Sequence, residues 1–280
     1  MGRWTEYISR FHHERPGLAT EVLARCRAGE HNPHTWLARA VSGSSRRVVD
    51  IGCGSGPMSR MLERDGRTVL GLDLSWEEIQ TAHRLGPGPF VQANGLALPV
   101  GSGAVDAVIS SLALSVIEDT GALLDEVARV LRPGGMFAAI TPTYRPINVT
   151  DMKLLGPLTA RLKGPPRFPV RLDMRMGPIL LEHGLKKIED ARERYYFDVS
   201  NLEDAEALLN ALYLPTIGDF SVRRAAAWLA KRAADEGEPV RVPIPMRRVV
   251  AIKMRAEESA NGSPQTGYSP GDSLSTRASV

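Results

Sequence analysis

Val48-Val49-Asp50-Ile51-Gly52-Cys53-Gly54-Ser55-Gly56-Pro57 carries an apolar run straight into a loop of three alternating glycines. Pro57 suits the first turn of a helix, where a missing N–H costs little and the fixed φ is already helical. Glycines at 52, 54 and 56 permit a positive φ, and without Cβ atoms they let a flat ligand come close to the backbone. A second apolar run, Leu70-Gly71-Leu72-Asp73-Leu74, places Asp73 seventeen residues after Gly56. Its two oxygens can accept from a pair of ribose hydroxyls. Together the two segments predict a nucleoside-bearing cofactor at the carboxyl edge of a parallel sheet.

The loop spacing narrows the cofactor. A dinucleotide fingerprint reads G-x-G-x-x-G, and counted from Gly52 its last glycine falls on Pro57. The loop instead reads D-x-G-x-G-x-G, and here the chain resembles the class I S-adenosylmethionine-dependent methyltransferases. The resemblance runs on for roughly a hundred residues. Val91-Gln92-Ala93-Asn94-Gly95-Leu96-Ala97-Leu98-Pro99 is similar to the family segment after the third strand, with Asn94 where an Asp is usual. Val105 to Leu114 matches the fourth strand, and Arg132-Pro133-Gly134-Gly135 the turn before the fifth.

The resemblance implies a Rossmann-like, doubly wound seven-stranded α/β sheet, mostly parallel with its last strand antiparallel. It implies S-adenosylmethionine as cofactor and S-adenosylhomocysteine as product, with no metal. The positions it assigns to the cofactor are Asp50, Gly52, Cys53, Gly54, Gly56, Asp73, Leu74, Asn94, Gly95 and Ser111. An Asn94 carbonyl can still accept from an adenine amino group. The Gly95 N–H suits an adenine ring nitrogen.

Catalytic residues are harder to read, because a sulfonium carries its own reactive group and the protein mainly aligns the nucleophile and excludes water. His12 and His13 are candidate bases on an amino-terminal helical segment that often closes the pocket in this family. They equally suit a solvated helix end. Tyr7 can reach a cofactor carboxylate, or pack with Trp4 and Phe11 on the sheet edge. Tyr7, Phe11 and Tyr144 are the candidates for the acceptor pocket.

Residues 1–40 read as a helical cap, since Trp4, Tyr7, Ile8 and Phe11 recur at helical spacing. Residues 41–255 read as the catalytic domain, with cover insertions at about 143–176 and 200–235. Ser75 with Glu78, and Ser200 with Glu203, have capping-box spacing. Arg248 to Met254 is the expected final strand. Residues 256–280, rich in Ser, Gly and Pro, are expected to be disordered.

Composition sets limits on partners. The chain has 280 residues, 43% apolar, with a formal net charge of +3. Its basic residues come in pairs such as Arg46-Arg47 rather than in a block, which argues against a nucleic-acid track. The fourth strand ends in Ser110-Ser111-Leu112, not in the Asn/Asp-Pro-Pro-Tyr/Phe motif of base-amine methyltransferases. Cys26 and Cys53 lack the Pro-Cys context of carbon-5 pyrimidine chemistry. Two cysteines, no signal-peptide core at the amino terminus and no apolar run of membrane-span length predict a cytoplasmic protein with no membrane partner.

The reading that follows is O- or N-methylation of a small-molecule metabolite. Methylation of RNA or protein, or cofactor binding without transfer, are the alternatives. The residues determine neither the acceptor atom nor the oligomeric state.

Overall fold

Strand β1 (Arg47–Ile51) lies at the centre of the sheet, paired in parallel with β2 (Thr68–Asp73) on one side and β4 (Val105–Ser111) on the other. The computed structural model describes residues 3–169 and 176–255. The expected disordered tail and the end of the first cover insertion lie outside the described residues. Beyond β2 lies β3 (Phe90–Gln92); beyond β4 come β5 (Leu131–Pro142), β7 (Val240–Lys253) and β6 (Leu185–Val199). Among the described residues the order is β3-β2-β1-β4-β5-β7-β6, with β7 antiparallel to both its neighbours. This is the Rossmann-like α/β sheet with an antiparallel final strand that the resemblance implied.

Alternation along the strands sends neighbouring residues to opposite faces. Val48, Val69, Ala107, Ile109 and Ala138 belong to one buried core, which also takes Leu37, Met58, Leu158, Leu208 and Leu229. These come from α3 (Pro33–Ala38), α4 (Pro57–Leu62), α8 (Val149–Leu162), α10 (Leu202–Asn210) and α11 (Asp219–Glu236). Val49, Ile51, Val108, Phe137 and Ala139 belong to the other, with Leu123, Leu124 and Val127 of α7 (Thr120–Val130) and Leu180 of α9 (Met176–Glu182). The remaining helices are α1 (Arg3–Glu14), α2 (Leu18–Arg25), α5 (Trp76–Leu85) and the single turn α6 (Ala113–Val116).

Two boundaries differ from the sequence reading. The N-cap of α10 is Asn201, whose side chain accepts from Asp204 N–H, not Ser200. Asp204 returns a bond to Ser200 N–H at 2.9 Å, so Ser200 sits one residue outside the cap. β7 starts at Val240 rather than Arg248. Pro243 and Pro245 disguise its first half. They are tolerated because the β5–β7 ladder begins only at Met246; before it a bond from Thr143 N–H to the Pro245 carbonyl, at 3.1 Å, needs no N–H from either proline. The long antiparallel β6–β7 pair is tied by the buried Arg247, which grips Asp190 with two bonds of 2.7 Å. No described helix is long and apolar enough to cross a membrane.

Candidate functional site

The carboxyl ends of β1, β2 and β4 open into a cavity of about 930 Å³, near the top of the range of about 300–1,000 Å³ typical of small-molecule sites. The glycine loop forms its floor. Gly52, Gly54 and Gly56 have φ of 67°, 53° and 81°, so all three use the left-handed region that side chains rarely occupy. Gly52 and Cys53 donate their N–H groups to Leu72 O at 2.7 and 3.0 Å, which fastens the loop to β2. Asp73 then closes it: one carboxylate oxygen accepts Gly54 N–H at 2.8 Å and the other accepts Ser75 N–H at 2.9 Å. Each of these oxygens keeps a second lone pair.

Across the floor, Asn94 and Gly95 line the cavity beside Leu74 and Leu96. Asn94 Oδ1 accepts Leu96 N–H at 2.9 Å, an Asx turn that orients its amide. Leu74 and Leu96 are exposed at the mouth. At the end of β4 the chain turns through Leu112, a non-glycine residue at φ 69°. Next to it, the buried Ser111 hydroxyl has no hydrogen-bond partner. An orphaned buried hydroxyl on a cavity wall fits a site that a polar ligand completes.

Helix α1 closes the cavity from above. Trp4 Nε1–H donates to Val116 O at 2.8 Å, and the Thr5 hydroxyl to Glu118 at 2.7 Å. His12 Nδ1 lies 2.8 Å from Glu78, and His13 Nδ1 lies 2.7 Å from Glu77. Gly17 N–H, between α1 and α2, reaches both oxygens of Glu78 at 3.0 Å. Sequence reading cast Glu78 as half of a capping box. Ser75 Oγ does accept Glu78 N–H, at 3.3 Å, but Ser75 N–H is already taken by Asp73. Glu78 is thereby released to turn inward, buried, and hold the cover. The one available signal was a competing acid two residues before the cap.

Comparison with known proteins gives the arrangement a family. Residues 49–139 match the methyltransferase domain family. The chain is 37% identical over 106 residues to malonyl-[acyl-carrier protein] O-methyltransferase of Enterobacter lignolyticus, covering 38% of this chain and 42% of that protein. It is 31% identical over 141 residues to an uncharacterized methyltransferase of Mycobacterium ulcerans, covering 49% of this chain and 55% of that one. Among solved structures, the [4+2]-cyclase SpnF shares the fold with a TM-score of 0.56 and 18% identity, over 88% of this chain and 95% of that one. Residues 49–139 therefore carry the sequence signature of a methyltransferase domain. The chain spans about half the length of the curated relatives it matches.

Within the methyltransferase domain and its surroundings, the structure sorts the residues named from sequence. Asp50, Gly52, Cys53, Gly54, Asp73, Leu74, Asn94, Gly95 and Ser111 all line the cavity, as do His12 and His13. Gly56 lies just behind, where a Cβ would stand 2.6 Å from the Phe90 ring. Tyr7, Phe11 and Tyr144 are not on the cavity wall. The Tyr7 hydroxyl accepts Leu214 N–H at 2.8 Å, and Phe11 is buried edge-on against Tyr213 at 4.9 Å between centroids. Both therefore anchor α1 rather than face a ligand. Tyr144 is exposed beyond the end of β5. His34, on α3, lines the cavity although nothing in its sequence neighbourhood marked it.

Asp50 is the buried acid of the loop. One oxygen accepts the Ser59 hydroxyl at 2.8 Å and the other has no partner. Burial pushes its pKa from 3.8 up to about 7, against the pull of the Ser59 bond. The folded protein therefore holds this proton more tightly than the unfolded chain does. That contribution to stability is complete below a pH of about 3.8 and is lost as pH rises to about 7. An Asp50→Asn variant lacks this dependence, so its melting temperature relative to the parent should climb between about pH 4 and about pH 8. A difference that stays flat across the range would count against the raised pKa.

Proposed function

We propose that this chain transfers the methyl group of S-adenosylmethionine to oxygen or nitrogen of a small molecule. The observation that carries the reading is the D-x-G-x-G-x-G loop, its three glycines left-handed and its central N–H held by Asp73, forming one wall of a covered cavity. In this reading Asp73 takes the ribose hydroxyls, Asn94 and Gly95 take the adenine, and the orphaned Ser111 hydroxyl gains a ligand partner. The sulfonium supplies the methyl group. The chain supplies binding, alignment and exclusion of water, with α1 to α3 as the cover.

A small acceptor suits the rim. Glu77, Glu118 and Asp119 line the cavity against one arginine, Arg10, a balance that disfavours a polyphosphate backbone. One relative is named for O-methylation, so oxygen acceptors head the panel of compounds. A cytoplasmic location accords with Cys26 and Cys53, which are both free and buried.

The test has two stages. Calorimetry with S-adenosylhomocysteine should show one site, and a labelled-methyl release assay over hydroxylated and aminated metabolites should find turnover. No heat of binding overturns the reading entirely. Binding without transfer to any compound favours cofactor retention without methylation; SpnF, a protein of this fold, is itself named for a cyclisation.

A further inference from the structure

We propose that His34 receives the proton of the methyl acceptor, and that the acceptor is a largely apolar small molecule presenting an O–H or N–H donor between α2, α3 and α4. The proposal rests on the methyl-transfer reading above. His34 stands on the first turn of α3, is 2% exposed, and lines the cavity. Its ring makes no hydrogen bond or ion pair with any described residue. His12, His13 and His183 each face a carboxylate, while His31 and His83 are not buried. A buried imidazole left without partners loses the hydrogen bonds it had in water, and a cavity wall is where a ligand can restore them.

Its position separates it from the nucleoside end. α3 packs against α2, α4 and β5, and in the sheet β5 lies on the opposite side of β1 from β2 and β3. Asp73 ends β2 and Asn94 follows β3. α2 and α4, which pack against α3, contribute Leu23 and Met58 to the cavity wall. Burial lowers the His34 pKa to about 4, so the ring is neutral at physiological pH and one nitrogen keeps a free lone pair. His12 differs. Burial works against its charge, but the Glu78 bond and the Asp73 and Glu78 charges outweigh it and raise its pKa, and its Nδ1 is already engaged by Glu78 at 2.8 Å.

The step balances as follows. The acceptor's lone pair forms the bond to the methyl carbon, and the carbon–sulfur bond breaks with its electron pair remaining on sulfur. The acceptor's proton passes to the free His34 nitrogen. The products are S-adenosylhomocysteine, the methylated acceptor and an imidazolium, which then returns its proton to water.

The test uses the full chain saturated with S-adenosylhomocysteine, labelled with ¹⁵N-histidine, and phenol and toluene as probes of matched shape. Phenol should bind roughly tenfold or more tightly than toluene and shift the His34 ring nitrogens, because a site built for a donor discriminates against its absence. In His34→Phe that preference should fall to about one, with S-adenosylhomocysteine affinity unchanged; His34→Gln, which keeps an acceptor, should retain part of it. On any acceptor found in the panel, His34→Phe should lose roughly 10²–10⁴ in turnover. Equal binding of phenol and toluene, or unmoved His34 resonances, overturns the proposal. If S-adenosylhomocysteine fails to bind, the methyl-transfer reading falls, and with it this role for His34. The phenol comparison on the free protein then still reports whether the ring takes a donor.

Discussion

Gly54→Val is expected to leave a folded protein that no longer binds S-adenosylhomocysteine at any concentration calorimetry can reach. Gly54 sits at φ 53°, where a β-branched residue is strained by about 1–2 kcal/mol or more. Its Cβ would stand 3.0 Å from Thr20 Oγ1 and 3.6 Å from Glu78 Oε2. Valine's two methyl groups must go further, into α2 or into the carboxylate that holds Gly17 and His12. One substitution therefore disturbs the floor of the cavity and the fastening of its cover together. The fold should survive, because the obstructing atoms are side chains at the cavity and the sheet cores on either face are untouched. Gly52 is a poorer choice for the experiment. A Cβ there would stand 2.4 Å from the Ala113 Cβ, which is fixed to the backbone of α6, so folding itself would suffer. Circular dichroism and a melting curve verify the fold of Gly54→Val. Affinity near that of the parent would mean that the loop does not face the cofactor.

Asp73→Ala should weaken S-adenosylhomocysteine binding by about 2–4 kcal/mol, or roughly 30- to 1,000-fold. Part of that loss is direct under the proposed reading, in which Asp73 serves two ribose hydroxyls. Part is indirect. Asp73 also holds Gly54 N–H at 2.8 Å and Ser75 N–H at 2.9 Å, so its removal loosens the loop and the start of α5. Burial pushes the Asp73 carboxyl upward, while His12 and the two N–H bonds pull it back. Asp73→Asn separates charge from shape, because one oxygen remains to accept, and its loss should be the smaller of the two. Calorimetry on both variants measures the split. Unchanged affinity in folded Asp73→Ala would remove Asp73 from the binding site.

Most of the glycine-loop side of the cavity was legible along the chain because its determinants are local. A glycine either permits a positive φ or it does not, and Gly52, Gly54 and Gly56 all use that freedom. An acid at the end of an apolar run arrives at a strand's carboxyl end whatever surrounds it, as Asp73 does. The sheet was expected from the family resemblance carried by the motifs between Val48 and Gly135. The cover and the acceptor side depend on contacts between distant segments. The stripe of Trp4, Tyr7 and Phe11 predicted an apolar helix face, yet which residues would meet a ligand was decided by Tyr213 and Leu214, some two hundred residues later. Glu78 and Ser75 had a local pairing available, and Asp73 displaced it once the loop had closed. His34 acquires its place only when α3 folds back on α4 and β5. Periodicity and turn chemistry specify which face of an element is apolar and where it stops; the partner on that face, and hence the cavity, is chosen by packing among segments that sequence order keeps apart.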